Sequence, residues 1–463
     1  MKRLSAVLLA GGLFLASCAE PATLPERQPR PTAPPTTTTT RPVPTAETDA
    51  VPCTSTPPLA FALLCEAYDL VAENYMDPID PASLAAAASL GIQGREVVAD
   101  PEPGKLICAY PTDEFQGLCD LILSEASVSR LSTLVEAAVE GIFTYGLDPF
   151  STYLAPDVAS EIGEYGPGWI LSLGLVLGGR NGSDEICRSL GTGGCLLVVL
   201  AVFPFSTADT AGIVVGDVVT AVGGDAVSGK SLETITAALS GSPGSEVEIT
   251  IDRTAGEITK SVIHEDLRFA PAEFEMLTSR IAYLRLNEFS QVSAQLAGQV
   301  LQLDEVEAAS GIVLDLRDNP GGLVYAAMAV ASQFLDGGVV MKEVGREESF
   351  DLDVIDGGLA TGSRPRLAVL VNGGSASASE VVAAVLQERG RATVIGTRTF
   401  GKNLVQLPFR ARNGGQFVIS IARWTTPGGL DIGITGLTPD IVVEASADGS
   451  DAVLDRALAL LGG

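Results

Sequence analysis

VNGGSASASE, Val371 to Glu380, places Ser375, Ser377 and Ser379 among glycines and alanines. An apolar run, RLAVLV (Arg366 to Val371), precedes it, and a helical pattern, EVVAAVLQE (Glu380 to Glu388), follows. A serine becomes a nucleophile only when a base takes its proton. The chain holds one histidine, His264, far in sequence from this turn, so a Ser-His-Asp arrangement has little to draw on. TFGKNLVQ, Thr399 to Gln406, contains Lys402, the one lysine between the turn and the C-terminus. A Ser-Lys pair is the natural alternative. Lysine acts as a base only when neutral, and burial among apolar groups lowers its ordinary pKa of about 10.4 by several units. Phe400, Leu404 and Val405 offer such surroundings. Gln406 can orient the amine without adding a charge that would keep it protonated. The helix N-terminus beyond the serines favours a developing oxyanion. Ser375 and Ser379 read as helix-capping groups. Asp315 and Asp318, in LDLRDNPGG with Arg317, read as a strand-end turn.

Three regions must position these residues. From 59 to 157 the chain reads mostly helical: LAFALLCEAYDLVAENY (Leu59 to Tyr75) and RLSTLVEAAVEGIF (Arg130 to Phe143) have apolar residues at helical spacing. A Gly- and Pro-rich insertion separates them, and LDPFSTYL (Leu147 to Leu154) closes the region with a turn. From 161 to 268 the pattern becomes short strands at WILSLGLVL (Trp169 to Leu177), CLLVVLAVF (Cys195 to Phe203), DVVTAVGG (Asp217 to Gly224) and EVEITIDR (Glu246 to Arg253), with one helix at Ser231 to Ser240. From 271 to 463 apolar strands alternate with helices, which indicates an α/β core with buried strands. The strands are expected at IAYLRL, GIVLDLR, RLAVLV, ATVIG and QFVISIARW.

The chain has 463 residues and a net charge of −28. That length suits several domains. That charge argues against nucleic-acid binding, because nothing would neutralise phosphates. At the N-terminus, Lys2 and Arg3 precede an apolar run, Leu4 to Ala16, that is too short to span a membrane comfortably. LASC, Leu15 to Cys18, resembles a bacterial lipobox, which implies lipidation of Cys18 after removal of residues 1–17. Residues 18–58 include a Pro/Thr-rich tether that cannot bury a core. The expected location is therefore the outer face of a bacterial cell membrane, reached through a lipid anchor. The six remaining cysteines suggest disulfides outside the cytosol, with the sequence-local pairs Cys53–Cys65, Cys108–Cys119 and Cys187–Cys195 expected. No CxxC, HExxH or second histidine supports a metal, and no cofactor is expected.

TAGIVVGDVVTAVGGDAVSGKSLETITAAL, Thr210 to Leu239, resembles a PDZ domain. That resemblance makes LSLGLVL, Leu171 to Leu177, the analogue of the carboxylate-binding loop, with Leu173, Gly174 and Leu175 presenting backbone N–H groups to a peptide C-terminus. GDAVSGKS, Gly224 to Ser231, matches the phosphate-binding P-loop pattern. The PDZ-like pattern explains the whole window, and no nucleotide site is expected there.

LDLRDNPGGL (Leu314 to Leu323), VNGGSASASE, TRTFGKNLVQ (Thr397 to Gln406) and TPGGLDIGITGLTPDIVV (Thr426 to Val443) stand in order. Together they resemble the carboxyl-terminal processing peptidases, the tail-specific S41 family with an inserted PDZ domain. The resemblance covers roughly residues 59–463. It implies a multidomain α/β protein: a helical N-terminal region (59–157), a PDZ-like β-rich domain (161–268) and a crotonase/Clp-like α/β protease core (271–463). It implies Ser377 as nucleophile, Lys402 as general base and Gln406 as the group that orients the lysine. The oxyanion donors would be the N–H of Ala378 and that of Gly321 or Gly322. Asn403-Leu404 departs from the pair that usually follows the lysine. The implied activity is that of a serine endopeptidase acting on exported proteins with exposed C-terminal tails, and a homodimer through the helical region is an expected partner state. The alternative is a catalytically silent, peptide-binding envelope lipoprotein on the same scaffold.

Overall fold

In the computed structural model Val51–Gly463 form one compact unit. The structure describes residues 61–93, 117–118, 121–122, 131–161 and, short gaps aside, 169–462, all within that unit. The targeting segment with Cys18, the Pro/Thr-rich stretch, and Cys53, Cys108 and Cys119 lie outside the described residues.

The N-terminal region is helical as expected. It comprises α1 (Ala62–Asn74), α2 (Pro81–Ile92) and α3 (Leu131–Gly146), then β1 (Thr152–Leu154) and α4 (Pro156–Glu161). Asp80 starts α2 by accepting the Ser83 N–H, with Pro81 at the first helical position. Apolar faces of the three helices, including Phe61, Leu64, Val71, Ile142 and Phe143, pack with Phe417 and Ile419. Phe143 and Phe417 stack at 5.7 Å. LDPFSTYL does more than turn. After the turn at Asp148–Phe150 its tail becomes β1, paired antiparallel with Val418, Phe417 and Gln416.

The PDZ-like region holds β2 (Trp169–Ile170), β3 (Leu175–Arg180), β4 (Leu196–Val202), α5 (Thr207–Thr210), β5 (Val218–Val222), β6 (Asp225–Ala226), α6 (Leu232–Ala238), β7 (Glu246–Arg253) and β8 (Gly256–Ile263). Its strands run β2-β3-β4-β5-β7-β8, with β6 on β5. WILSLGLVL, read from sequence as one strand, is a hairpin. Leu173 N–H donates to Ile170 O at 3.1 Å and turns the chain back, so β2 lies beside β3. Period-two patterning is the same for one strand as for two arms of a tight hairpin.

The C-terminal region holds β9 (Ala272–Thr278), β10 (Ile281–Leu286), α7 (Gln291–Leu301), α8 (Asp304–Glu307), β11 (Gly311–Asp315), α9 (Val324–Ser332), β12 (Val339–Gly345), β13 (Ser349–Asp353), β14 (Arg366–Val371), α10 (Ala378–Glu388), β15 (Ala392–Gly396), β16 (Leu404–Arg410), β17 (Gln416–Thr425), β18 (Ile441–Val442) and α11 (Ala452–Leu461). One sheet runs β18-β15-β14-β11-β10-β9, parallel except for β9. The expected strands β10, β11, β14 and β15 are its centre. β11 and β14 are buried almost throughout, which explains their unbroken apolar runs. The second sheet, β1-β17-β12-β13 with β16 on β17, is antiparallel and joins the helical region to the core. Among the described residues no helix is long and apolar enough to cross a membrane.

Candidate active site

Three adjacent parallel strands deliver the three sequence motifs. β11 pairs with β14 (Asp315↔Leu370), and β14 pairs with β15 (Val371↔Gly396). LDLRDNPGG leaves the carboxyl end of β11, the serine turn leaves that of β14, and the lysine loop follows β15. Open parallel sheets place their sites at these ends, where the loops converge.

The serine turn exposes one of its three hydroxyls. Ser375 and Ser379 are fully buried, and their Oγ atoms donate to Leu316 O (2.7 Å) and Asn319 O (2.9 Å). They therefore brace the turn against the β11 loop rather than cap α10. Ser377 remains partly exposed. Its backbone sits at φ 53°, ψ −114°, in a region that non-glycine residues rarely enter. Such a conformation costs of order 1–3 kcal/mol and persists where the surroundings impose it.

Glu380 is the main such constraint. It is fully buried at the start of α10. Its Oε2 accepts the N–H groups of both Ser377 and Lys402, each at 2.8 Å. Its Oε1 accepts Gly401 N–H at 2.7 Å and the Thr399 hydroxyl. One oxygen thus holds the backbones of the proposed nucleophile and base less than two hydrogen-bond lengths apart. Burial pushes the Glu380 carboxyl above its usual range, and the four donors oppose that shift.

Lys402 is only half-buried as a residue, yet its ammonium end is enclosed. Nζ lies 5.6 Å from the centroid of the Phe150 ring, and Phe150 in turn meets Phe400. Desolvation lowers the Lys402 pKa, while Asp148 and then Glu380 pull it upward. Trp424 Nε1 donates to Lys402 O at 3.1 Å and fixes the backbone from the other side. Gln406 Nε2 donates to Phe150 O at 2.7 Å and to Ser420 Oγ at 3.4 Å. Among the described residues no hydrogen bond joins Ser377 Oγ, Lys402 Nζ and the Gln406 amide to one another. The three share a site without being linked in this state.

On the opposing loop, Asn319 Oδ1 accepts the Gly321 N–H at 2.9 Å, and Asn319 O accepts Ala376 N–H at 3.0 Å. Gly321, at φ 99°, lies so close to the serine turn that a Cβ would meet Ala376 O at 2.7 Å and Ser377 Cβ at 2.9 Å. The N–H groups of Gly322 and Ala378 have no acceptor among the described residues. Beneath the loop, Arg317 clasps Asp315 at 2.6–3.0 Å and Asp451 at 2.8–2.9 Å. Burial opposes ionisation of Asp315, but Arg317 and then Arg285 hold its pKa below the usual range. Asp318 accepts from Asn372 Nδ2 at 2.7 Å and pairs with Arg285 at 3.3 Å. The turn reading of these aspartates agrees with these contacts.

The PDZ-like region packs on this site. Val176, Ala201 and Phe203 form a cluster with Ala376, joined by Leu200 and Phe400. Arg180 Nη2 donates to Phe400 O at 2.8 Å, and its guanidinium lies 5.3 Å from that ring's centroid. Leu173 and Leu175 are fully buried, and Gly174 O accepts Phe203 N–H at 2.9 Å. His264 is buried in the same region, with Nδ1 2.9 Å from Ser172 Oγ. The P-loop-like stretch supplies β6, paired with β5, and the approach to α6, and its Lys230 pairs with Asp225 at 3.5 Å. Cys187 and Cys195 form a disulfide, the expected local pair. Cys65 is also disulfide-bonded.

Sequence reasoning missed Glu380 and Asn319, although Ser377-x-x-Glu380 is the spacing at which a glutamate reaches back to the first residue of a helix. It also missed Asp148, which acts on Lys402 from a distant stretch of chain with no local signal. No group of metal-ligating side chains is present among the described residues.

Known proteins agree with this architecture. The model of peptidase family S41 matches residues 280–443, and a PDZ-domain model matches residues 198–253. A Bartonella bacilliformis carboxy-terminal-processing protease is 31% identical over 321 residues, covering 67% of this chain and 70% of its own length. A Staphylococcus aureus probable CtpA-like serine protease is 30% identical over 314 residues, 67% of this chain and 60% of its own. Among solved structures, the photosystem II D1 C-terminal processing protease shares the fold with a TM-score of 0.66 at 24% identity, over 88% of this chain and 98% of that one. The chain belongs to peptidase family S41, in its carboxy-terminal-processing serine protease branch, and carries a PDZ domain.

Proposed function

We propose that this chain is a serine endopeptidase with a Ser377–Lys402 dyad, acting on exported proteins whose exposed C-terminal tails engage the PDZ-like domain. The observation that supports it most is the Glu380 carboxylate, which holds the backbones of Ser377 and Lys402 on one oxygen at 2.8 Å each. Neutral Lys402 takes the Ser377 proton as Oγ attacks the scissile carbonyl. The resulting ammonium then returns a proton to the leaving amine, and water hydrolyses the acyl-enzyme by the reverse sequence. Ala378 and Gly322 are the oxyanion donors in this reading, because Gly321 N–H is already spent on Asn319. Gln406 positions the amine through its amide oxygen, its nitrogen being held by Phe150 O. Catalytic hydrogen bonds commonly tighten only when substrate binds, which suits the absence of a Ser377–Lys402 bond.

Lipidation at Cys18 and a location on the outer face of a bacterial cell membrane complete the proposal, together with homodimerisation through the helical region. The deciding experiment is hydrolysis of an unstructured protein such as casein. Wild type cleaves it, and Ser377→Ala and Lys402→Ala each lower the rate at least about a thousandfold at unchanged circular dichroism. Undiminished cleavage by either variant refutes the dyad. No cleavage by wild type favours the silent binding scaffold.

A further inference from the structure

A peptide that joins a sheet as a strand needs an edge with unpaired backbone groups. β4 occupies one side of β3 from Leu175↔Val202 to Arg180↔Leu196. Only the outer side remains, because the sheet order begins β2-β3-β4. The chain itself already lies there at both ends. β2 pairs Ile170 with Leu175 and Trp169 with Val176. At the far end Ile186 bridges Arg180, and Cys187 N–H donates to Gly179 O at 3.1 Å. Strand alternation turns the backbone groups of Leu175, Leu177 and Gly179 to this side. Of these three, only Leu177 has no partner there among the described residues.

The cover at the far end is built in. The Cys187–Cys195 disulfide ties it to the residue before β4, with Cα atoms 5.9 Å apart. Gly191 N–H donates to Cys195 O at 2.8 Å, and Gly229 N–H to Leu190 O at 2.9 Å, which fastens the loop to the approach of α6. Gly179 permits the contact: a Cβ there would meet Cys187 O at 2.0 Å and Cys195 Sγ at 3.2 Å.

We propose that the Cys187–Cys195 loop is a plug on the strand-adding edge of the PDZ-like domain. β2 is the fixed rim at one end. The loop takes the Gly179 carbonyl that an incoming peptide would use, so more than one residue can pair with β3 only when the loop lifts. The occupant it excludes is an extended peptide C-terminus, and this rests on the tail-binding reading above.

Two independent changes free the edge. Cys187→Ser with Cys195→Ser opens the loop covalently. Gly179→Ala drives it off sterically with the disulfide intact, and it guards against misfolding of the disulfide-free form. Each is made in a full-length Ser377→Ala chain to prevent cleavage. Binding is read by fluorescence anisotropy with a degenerate ten-residue peptide library ending in a free carboxylate, and with its carboxamide counterpart. The expected result is at least tenfold tighter binding by both opened forms than by the parent. Carboxylate-dependent binding of equal strength in all three overturns the plug and leaves tail capture standing. Tighter binding on opening without carboxylate preference supports the plug and overturns tail capture. No binding by any form overturns both.

Discussion

Ser377 and Lys402 are each held in a state that costs stability, and each cost is measurable. Ser377 occupies a positive-φ conformation that glycine adopts freely. Ser377→Gly is therefore expected to be inactive yet more stable than Ser377→Ala by about 1–2 kcal/mol, read from urea denaturation midpoints. The Lys402 pKa lies below the ordinary 10.5, with desolvation the leading cause. Below its folded pKa the buried charge opposes folding in full. As pH rises from there toward 10.5, the unfolded chain binds more protons than the folded one, and the penalty fades. Lys402→Met should thus be more stable than wild type at neutral pH, with the gap narrowing as pH rises. Wild-type kcat/KM should climb through the same folded pKa, because only neutral lysine accepts the serine proton. A rate that falls over this interval contradicts Lys402 as base.

Glu380 links elements rather than residues. It stands at the head of α10 and gathers N–H groups from the serine turn and from the loop that leads into β16. Glutamine at this position keeps one acceptor oxygen and turns an NH2 toward two of the donors. Each buried donor left unpaired costs about 1–3 kcal/mol, so Glu380→Gln is expected to lose about 2–4 kcal/mol of stability and most of its activity. Full activity in a destabilised Glu380→Gln protein would show that the clasp supports the fold alone. α10 and its turn were legible from sequence because glycine, serine and an apolar helical face coincide there. The β1–β17 pairing was not, because a three-residue strand has no periodicity of its own.

Across the whole molecule, the helical region, the PDZ-like domain and the α/β core meet around one site. Asp148 and Phe150 come from the segment before β1, Arg180 from the PDZ-like sheet and Lys402 from the core. The N-terminal motif adds a prediction at this scale. Metabolic labelling with a lipid precursor should mark the protein, and Cys18→Ala should abolish the mark. Persistent labelling of that variant excludes Cys18 as the anchor. The net charge of −28 favours solubility and repels anionic surfaces.

Residue types and order alone determined the candidate chemistry. A lone histidine removed the usual base, one lysine followed the serines, and four motifs in sequence matched a known family. These signals are local, so one chain suffices to read them. Tertiary structure decided which hydroxyl is reachable: it buried Ser375 and Ser379 against Leu316 and Asn319 and left Ser377 accessible. It also brought Glu380 between Ser377 and Lys402, placed Asp148 near the lysine, and laid β2 and the disulfide loop along β3. Those outcomes depend on pairing between residues far apart in the chain, and on backbone hydrogen bonds that carry no side-chain signature.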